Sequence, residues 1–275
     1  MDRKNTTVRS DAIRNCGLAM GWVGLLLASG CATTTVSLDA PAPISQAQAK
    51  RDLGVEYLKT HRTAMAIREF SASLELDAAD PQTHLWLGEA YRRKGRSAEA
   101  ERYLADAISL AVRRKDSLTG QEARLNMSAL LSQMGRYEDS LEHCELLAAD
   151  PTVSTPWRPM TNCGWALMRL GRLDEAREHF LDALDFFPRF GPALLNLGIL
   201  EAKQGHRLAA IKTLERVGKA RIGGSGRAEA NYRLGELYVT LGRRDLAVTR
   251  FRAAAEAAPT LDWGSQSQAY LELLR

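Results

Sequence analysis

The sequence predicts an all-α fold, a right-handed superhelix of six helix-turn-helix repeats with a C-terminal capping helix. The main observation is a repeat of about 34 residues. Gly54 in "RDLGVEY" lies 34 residues before Gly88 in "LWLGEAY", and Gly164 in "TNCGWAL" lies 34 before Gly198 in "LNLGILE". A glycine turn followed by alanine then recurs within the units, as in "KGRSAEA" and "LGRLDEA". No stretch of useful length shows the two-residue alternation that is typical of strands.

The first thirty residues predict an export signal. Basic residues outnumber acidic ones before Cys16, and the stretch "CGLAMGWVGLLLASG" from Cys16 to Gly30 carries no charge. This run is short for a permanent membrane-spanning helix, which needs roughly 20 residues. A positive region, a brief apolar run and small residues at its end are typical of a secretory signal peptide. We therefore interpret residues 1–30 as a signal peptide that is removed after export.

Cys31 follows this signal directly. The stretch "LASGC" resembles a bacterial lipobox, in which the cysteine is acylated and the chain is cut just before it. An ordinary signal peptide with an incidental cysteine is the alternative. One acyl chain holds a protein only reversibly, but the resemblance implies more than one chain on Cys31 and hence a durable anchor. Because Ala32 and not aspartate comes next, the same resemblance implies the periplasmic face of the outer membrane.

A short segment separates Cys31 from the repeats. The stretch "ATTTVSLDAPAPISQ" is small and polar and contains Pro41 and Pro43. Such a composition is typical of a tether that is flexible or polyproline-like. The predicted domain order is therefore a signal peptide at 1–30, a tether at 31–46 and a repeat domain at 47–275.

Composition excludes several classes of protein. The chain is 45% hydrophobic and 25% charged, which is typical of a folded protein and not of a disordered one. Basic and acidic residues nearly balance once the signal is removed, so we expect no cationic surface for nucleic acid. The triplet of Arg113, Arg114 and Lys115 is too small to change this and is expected in a solvated loop.

The repeat motifs resemble the tetratricopeptide repeat, a helix-turn-helix unit. Six units begin near residues 47, 81, 121, 157, 191 and 228, with Ser128 and Gly235 in the glycine position of the third and sixth. Small residues such as Gly88 and Ala100 let the two helices of a unit approach closely. Large residues such as Phe180 fill the space against the following unit.

The segments between and after the units also carry information. Pro188 and Pro259 are expected to end second helices, because proline cannot continue the hydrogen-bond ladder. Extra residues lie in "VRRKDSLTG", "PTVSTP" and "IGGSG", where we expect longer loops between units. The tail "LDWGSQSQAYLELLR" has apolar residues at helical spacing and is predicted to cap the last unit, as a repeat stack requires at its ends.

Two further cysteines fall on neighbouring helices of the predicted stack. Cys144 lies on the second helix of unit three and Cys163 on the first helix of unit four. In an exported protein a buried pair on adjacent helices is expected to form a disulfide. Because cysteine is often buried without any bond, two packed free thiols are the alternative.

No pattern of residues predicts catalysis or a cofactor. The five histidines are scattered, and neither C-x-x-C nor H-E-x-x-H occurs, so we expect no metal site. The stretch "GGSG" lacks the preceding strand and the following lysine of a phosphate-binding loop. Acidic pairs such as Asp174 and Glu175 are common on solvated helix faces. We therefore expect a protein that is not an enzyme and binds neither nucleic acid nor a small-molecule substrate.

A repeat superhelix offers a concave wall to a partner chain. About five positions of each first helix are expected to line it, and this wall is more apolar than a surface facing water requires. Trp165 and Tyr232 are typical anchors for a docked chain, unless neighbouring helices or the cap cover them. The predicted groove residues are Leu85, Glu89, Arg92, Leu125, Trp165, Met168, Arg169, Leu195, Ile199, Tyr232, Glu236 and Val239.

The rim of this predicted groove is basic. It carries Arg92, Arg93, Arg158 and Arg169. An apolar wall with a basic rim favours a partner segment that is partly apolar and partly acidic.

An export signal with a lipobox, followed by six tetratricopeptide units and little else, resembles the type IV pilus pilotins of the PilF, PilW and Tgl type. The resemblance covers the whole mature chain in layout, unit count and length. It implies a lipid-anchored chaperone that binds a secretin subunit and promotes its localisation and multimerisation at the outer membrane. Tethering alone would raise the local concentration of the partner at the bilayer. The pair of Cys144 and Cys163 also resembles an arrangement in the Tgl branch.

Two other lipid-anchored roles fit the same sequence. One is a scaffold that helps to insert outer-membrane proteins, and the other is a regulator of a peptidoglycan-modifying enzyme. Genome position beside pilus genes would separate the pilotin role from both. Co-purified partners would separate the two alternatives from each other.

Overall fold

The computed structural model describes residues 43–274, which form thirteen α-helices. The first twelve pair into six helix-turn-helix units, and the last packs on unit six, so the predicted all-α repeat fold with a C-terminal capping helix is confirmed. The predicted signal peptide and Cys31 lie outside the described residues. The helices are α1 (Pro43–Lys59), α2 (Thr63–Leu76), α3 (Pro81–Arg93), α4 (Ser97–Arg114), α5 (Ser117–Gln133), α6 (Tyr137–Ala148), α7 (Trp157–Arg169), α8 (Leu173–Phe186), α9 (Gly191–Lys203), α10 (Arg207–Val217), α11 (Gly224–Thr240), α12 (Arg244–Ala257) and α13 (Asp262–Leu273).

Three units begin four residues earlier than the sequence predicts. Their first helices start at Pro43, Ser117 and Gly224. Pro43 stands in the first turn of α1, where its fixed φ and missing N–H suit a helix start. Residues 43–46, which the sequence predicts as part of the tether, are therefore helical, whereas residues 31–42 lie outside the described part of the chain.

The insertion "VRRKDSLTG" lengthens two helices, and the prediction of a long loop there is wrong. Only Lys115 and Asp116 separate the end of α4 at Arg114 from the start of α5 at Ser117. Lys115 ends α4 with a left-handed φ of 56°. The Asp116 carboxylate accepts a hydrogen bond from the Thr119 N–H and so caps α5. The insertion "PTVSTP", by contrast, does form a loop between α6 and α7.

A residue with positive φ separates the two helices of every unit. The left-handed conformation favours glycine, which has no Cβ to clash with the backbone. His61 takes this conformation in unit one, with φ of 59°. In the other units φ lies between 67° and 82°, at Gly95, Gly135, Gly171, Gly205 and Gly242.

The first helices form the inner layer of the stack. Each first helix after α1 contacts the preceding first helix, whereas within residues 43–274 no two second helices contact each other. The second helices must therefore diverge on the convex side. The first helices line the concave side, where a repeat stack binds its partners.

The two helices of a unit meet where a small residue faces a large one. A Cβ built on Gly164 would lie 2.6 Å from Cε1 of Phe180, and one built on Gly54 would lie 2.5 Å from the same atom of Phe70. Phe70 and Phe180 are fully buried. These glycines are therefore what allows an aromatic ring to pack between the two helices of units one and four.

Unit three has a larger residue at the glycine position and a smaller residue at the aromatic position. Ser128 stands at the glycine position and Cys144 at the aromatic position, and both side chains are fully buried. Cys144 is bonded to Cys163 on α7, with the two Sγ atoms 2.16 Å apart and the two Cα atoms 5.6 Å apart. The pair that the sequence predicts is thus joined in this structure, and the bond links unit three to unit four.

Candidate protein-binding groove

Two adjoining pockets form a groove on the concave side of units two to five. Their volumes are about 580 and about 260 Å³, and they share four residues of their walls. We call this surface the groove. Its wall consists of Arg92, Leu125, Asn126, Ala129, Ser132, Gln133, Met134, Gly135, Tyr137, Arg158, Thr161, Asn162, Trp165, Arg169, Phe190, Pro192 and Asn196.

Helix α7 supplies the floor of the groove. Residues three or four apart on a helix share one face. Arg158, Thr161, Asn162, Trp165 and Arg169 follow this spacing, and all five lie in the groove wall. The indole of Trp165 is only partly buried, so that its ring is available to an apolar side chain of a partner.

Three asparagines recur at the same position of successive first helices. Asn126, Asn162 and Asn196 lie 36 and 34 residues apart and all belong to the groove wall. The Asn162 amide donates a hydrogen bond to Oγ of Ser128 at 2.7 Å, whereas within residues 43–274 the side chains of Asn126 and Asn196 have no hydrogen-bond partner. Each amide both donates and accepts, as a peptide backbone does. We did not predict these residues, although their recurrence at the repeat period was a visible signal.

Arg169 is the one arginine of the groove wall that has no carboxylate partner within residues 43–274. Its guanidinium stacks over the rings of Tyr137 and Trp165, 4.8 and 5.6 Å from their centroids. No carboxylate of the described residues pairs with it, and the groove wall contains no acidic residue. A planar guanidinium between two aromatic rings is held in place and keeps its charge for a carboxylate of a ligand.

The other arginines of the predicted rim are already paired. Arg92 and Arg93 both bind Glu89, with N–O distances of 2.8 and 2.7 Å, and Arg158 binds Glu122 at 2.8 Å. Burial would raise the pKa of Glu89, but the hydrogen bonds and charges of its two arginines outweigh it and leave the pKa below 4.5. The expected basic rim is therefore reduced to a single arginine without a carboxylate.

Six of the predicted groove residues are buried, and the prediction that they offer side chains to a partner is wrong. The reason is that Leu85, Met168, Leu195 and Tyr232 pack into the hydrophobic core between neighbouring helices. Glu89 is instead held by its two arginines. One of the six, Leu125, still contributes an edge to the groove wall. All six are at most 8% exposed: Leu85, Glu89, Leu125, Met168, Leu195 and Tyr232.

The capping helix covers Tyr232. Its ring lies 5.2 Å from that of Trp263 and 5.8 Å from that of Tyr270, both on α13, and 5.8 Å from Phe251. Burial, with Glu236 and Tyr270 adding to it, raises the pKa of Tyr232 to about 12. The alternative that the cap covers this side chain holds, and unit six offers no aromatic anchor at this position.

The remaining predicted residues divide equally. Three belong to the groove wall: Arg92, Trp165 and Arg169. Three lie outside it: Ile199, Glu236 and Val239. Glu236 pairs with Arg233 at 3.1 Å, and Ile199 packs against the core.

The chemical groups of the described residues indicate which kinds of site are present. Within residues 43–274, no group of three or more histidine, cysteine, aspartate or glutamate side chains is placed to hold a metal ion. No helix in this part of the chain is long and apolar enough to cross a bilayer. The groove itself offers amides, aromatic rings and one arginine without a carboxylate partner, which suit an extended polypeptide.

Family comparisons agree with the fold. One model described as tetratricopeptide repeat matches residues 51–117 and 195–262, and a second with the same description matches residues 157–181. The two together cover more than half of the chain. No curated protein sequence matches it.

Solved structures with this fold include two proteins of type IV pilus systems. PilF of Pseudomonas aeruginosa is 18% identical with a TM-score of 0.65, and the match covers 83% of this chain and 99% of that one. PilW, described as a widely conserved type IV pilus biogenesis factor, is 18% identical with a TM-score of 0.67, and the match covers 80% and 97%. A chain of the Cut9–Hcn1 hetero-tetramer of the APC/C is also 18% identical, with a TM-score of 0.69, but the match covers only 43% of that chain. At this identity each likeness shows the fold alone.

Proposed function

The chain belongs to the tetratricopeptide-repeat family, and on that premise we propose that it is a non-enzymatic, lipid-anchored chaperone of the pilotin type. It would bind a subunit of the type IV pilus secretin and promote its localisation and multimerisation in the outer membrane. The groove carries this proposal, because it is a surface built for a polypeptide. PilF and PilW support the pilus role, since this chain matches nearly all of their length.

The groove suits an extended segment that lies across α5, α7 and α9. The free amides of Asn126 and Asn196 would bind the backbone of such a segment. Trp165 would contact an apolar side chain, and Arg169 would bind a carboxylate. The partner segment is therefore expected to be partly apolar and to carry at least one acidic residue.

The proposed lipid anchor would determine where the partner is bound. Acylation of Cys31 would keep the captured subunit close to the membrane in which the secretin assembles. A tether of this kind raises the effective concentration of its cargo to about the millimolar range without any further contact. The chaperone then needs only moderate affinity, and the subunit can leave as it joins the multimer.

The experiment replaces the gene and measures secretin oligomers. A deletion strain is complemented with the wild type, with the double variant Trp165→Ala/Asn196→Ala, or with the control Leu208→Ala. Leu208 is 77% exposed on α10, outside the groove. We expect the double variant to yield at least about tenfold less heat-resistant oligomer on gels, since buried aromatic anchors dominate binding energy.

Two outcomes would contradict the proposal at different levels. Normal oligomers in the deletion strain would refute the pilotin role. Full restoration by the double variant would place the binding site elsewhere on the protein. Circular dichroism of the purified variants verifies that helicity is unchanged.

A further inference from the structure

The connection between α4 and α5 projects from the stack. Helix α4 has 18 residues, whereas the other second helices have 11 to 14. Four additional residues extend a helix by about 6 Å. Helix α5 also starts early, at Ser117, so both helices are prolonged at the same end. We call residues 112–118 the tip.

The tip exposes apolar side chains and cations together. Val112 is 68% exposed and Leu118 is 71% exposed. Arg113 and Lys115 are exposed between them, and no carboxylate of residues 43–274 pairs with either. The one acidic residue of the tip, Asp116, is engaged as the cap of α5. Large apolar side chains flanked by free cations are typical of a surface that lies in the interface of a bilayer.

The tip lies on the edge of the stack where the chain enters it. Because the two helices of a unit are antiparallel, all first helices begin at the edge where the second helices end. The start of α1 at Pro43 therefore shares an edge with the tip. Only α3 lies between α1 and α5 in the inner layer, so two helix spacings of 8–10 Å separate them, about 20 Å in all.

The segment before α1 is long enough to bring Cys31 level with the tip. Residues 31–42 span at most about 40 Å when extended, at roughly 3.3–3.6 Å per residue. A bilayer that holds acyl chains on Cys31 would thus be within reach of the tip. The opposite edge of the stack is the one where the second helices begin.

We propose that the tip is a second membrane contact, specific for a bilayer with anionic phospholipid. The side chains of Val112 and Leu118 enter the interface, and Arg113 and Lys115 bind lipid phosphates. This inference rests on the lipid anchor of the proposed function. The anchor holds the protein at the membrane, and the tip fixes its orientation, so that the groove is presented at a constant height and angle.

The test measures how deeply two matched positions lie in the membrane. Full-length acylated protein carrying either Leu118→Cys or Leu208→Cys is labelled with a polarity-sensitive fluorophore. Cys144 and Cys163 are fully buried and bonded, so they do not react. Leu208 is 77% exposed in the first turn of α10, on the opposite edge. The vesicles contain phosphatidylethanolamine and phosphatidylglycerol, with brominated lipid as the quencher.

We expect a blue-shifted emission at position 118 and quenching about fivefold stronger than at position 208. Arg113→Glu/Lys115→Glu should lower the quenching at position 118 to the level of position 208. The matched reversal Arg207→Glu/Arg243→Glu on the opposite edge should leave it unchanged. Equal quenching at the two positions, in anchored protein without the charge reversals, would overturn the proposal.

The readouts separate this inference from the proposed function. Protein that does not float with the vesicles would refute the anchor, and with it a tip that the anchor must bring to the bilayer. Protein that floats with equal quenching at both positions would refute the tip alone. Binding in the groove is measured separately, as the affinity of the released Cys31→Ala protein for the secretin subunit in solution, and is unaffected by either result.

Discussion

At the scale of single residues, the fold depends on positions that lack a side chain. Gly164 lies so close to the ring of Phe180 that even a methyl group would enter it, at 2.6 Å from Cε1. Phe180 is fully buried and therefore has no free space to move into. The glycines recur in the sequence because each lies where the two helices of a unit pack closely. This is why six units could be predicted from their spacing.

Gly164→Ala should destabilise the protein by about 1–3 kcal/mol, because the added methyl overpacks the contact with Phe180. Gly120→Ala is the matched control. A Cβ there would meet only Cβ of Ala111 at 3.4 Å, so alanine should be neutral or should stabilise α5 by up to about 1 kcal/mol. Urea unfolding followed by circular dichroism gives both free energies. If Gly164→Ala were as stable as Gly120→Ala, the contact would not be the constraint that we infer.

A departure from the repeat consensus contributes to the arrangement of the wall of the groove. Ser128 replaces the usual glycine, and its hydroxyl donates to the Leu125 carbonyl at 2.8 Å while it accepts from Asn162. The serine therefore orients an amide of the groove wall. The sequence shows the substitution, but the hydrogen bond needs two first helices side by side and could not be predicted from either one.

At the scale of elements, helix contacts were predictable and helix ends were not. The insertion at residues 112–120 looked like a loop because it breaks the repeat period. Arginine, lysine and leucine are good helix formers, however, and α4 and α5 continue through it until Lys115 and Asp116 end one helix and cap the other. The sequence likewise could not decide whether Tyr232 is buried, because the apolar tail could either pack on the last unit or leave that surface exposed to a partner.

The disulfide adds a covalent link across the boundary between α6 and α7. It closes a loop with a sequence separation of 19 residues, which includes the irregular connection "PTVSTP". Replacing Cys144 and Cys163 by alanine should lower the free energy of unfolding by about 3 kcal/mol, since the unfolded chain regains the freedom of that loop. Urea unfolding with and without reductant measures this loss.

Peptide mapping under non-reducing conditions tests the bond itself. We expect one mass that joins the peptides of Cys144 and Cys163 in protein purified from the periplasm. The reductant should weaken the wild type and leave the alanine variant unchanged. Free thiols at both positions in the exported protein would refute the bond and with it the expected difference in stability.

At the scale of the whole molecule, the proposed function divides among three surfaces. In this proposal the groove would bind the partner, the tip would set the orientation, and the predicted acyl anchor on Cys31 would set the location. The groove lies on the concave side, whereas the tip lies at the edge where α1 begins. Binding and anchoring therefore use different residues, and each can be removed while the other persists.

Cys31→Ala should release the protein from the membrane and leave the groove intact. Within residues 43–274 no helix could span a bilayer, so the acyl chains are the proposed means of attachment. Because the effective concentration at the membrane is lost, we expect secretin oligomers to fall at least about tenfold, although the released protein binds the secretin subunit with unchanged affinity in solution. Thr33→Ala is the matched control, since it leaves the cysteine in place. Fractionation with a carbonate wash measures release, and continued membrane retention of the Cys31→Ala variant would refute the lipid anchor.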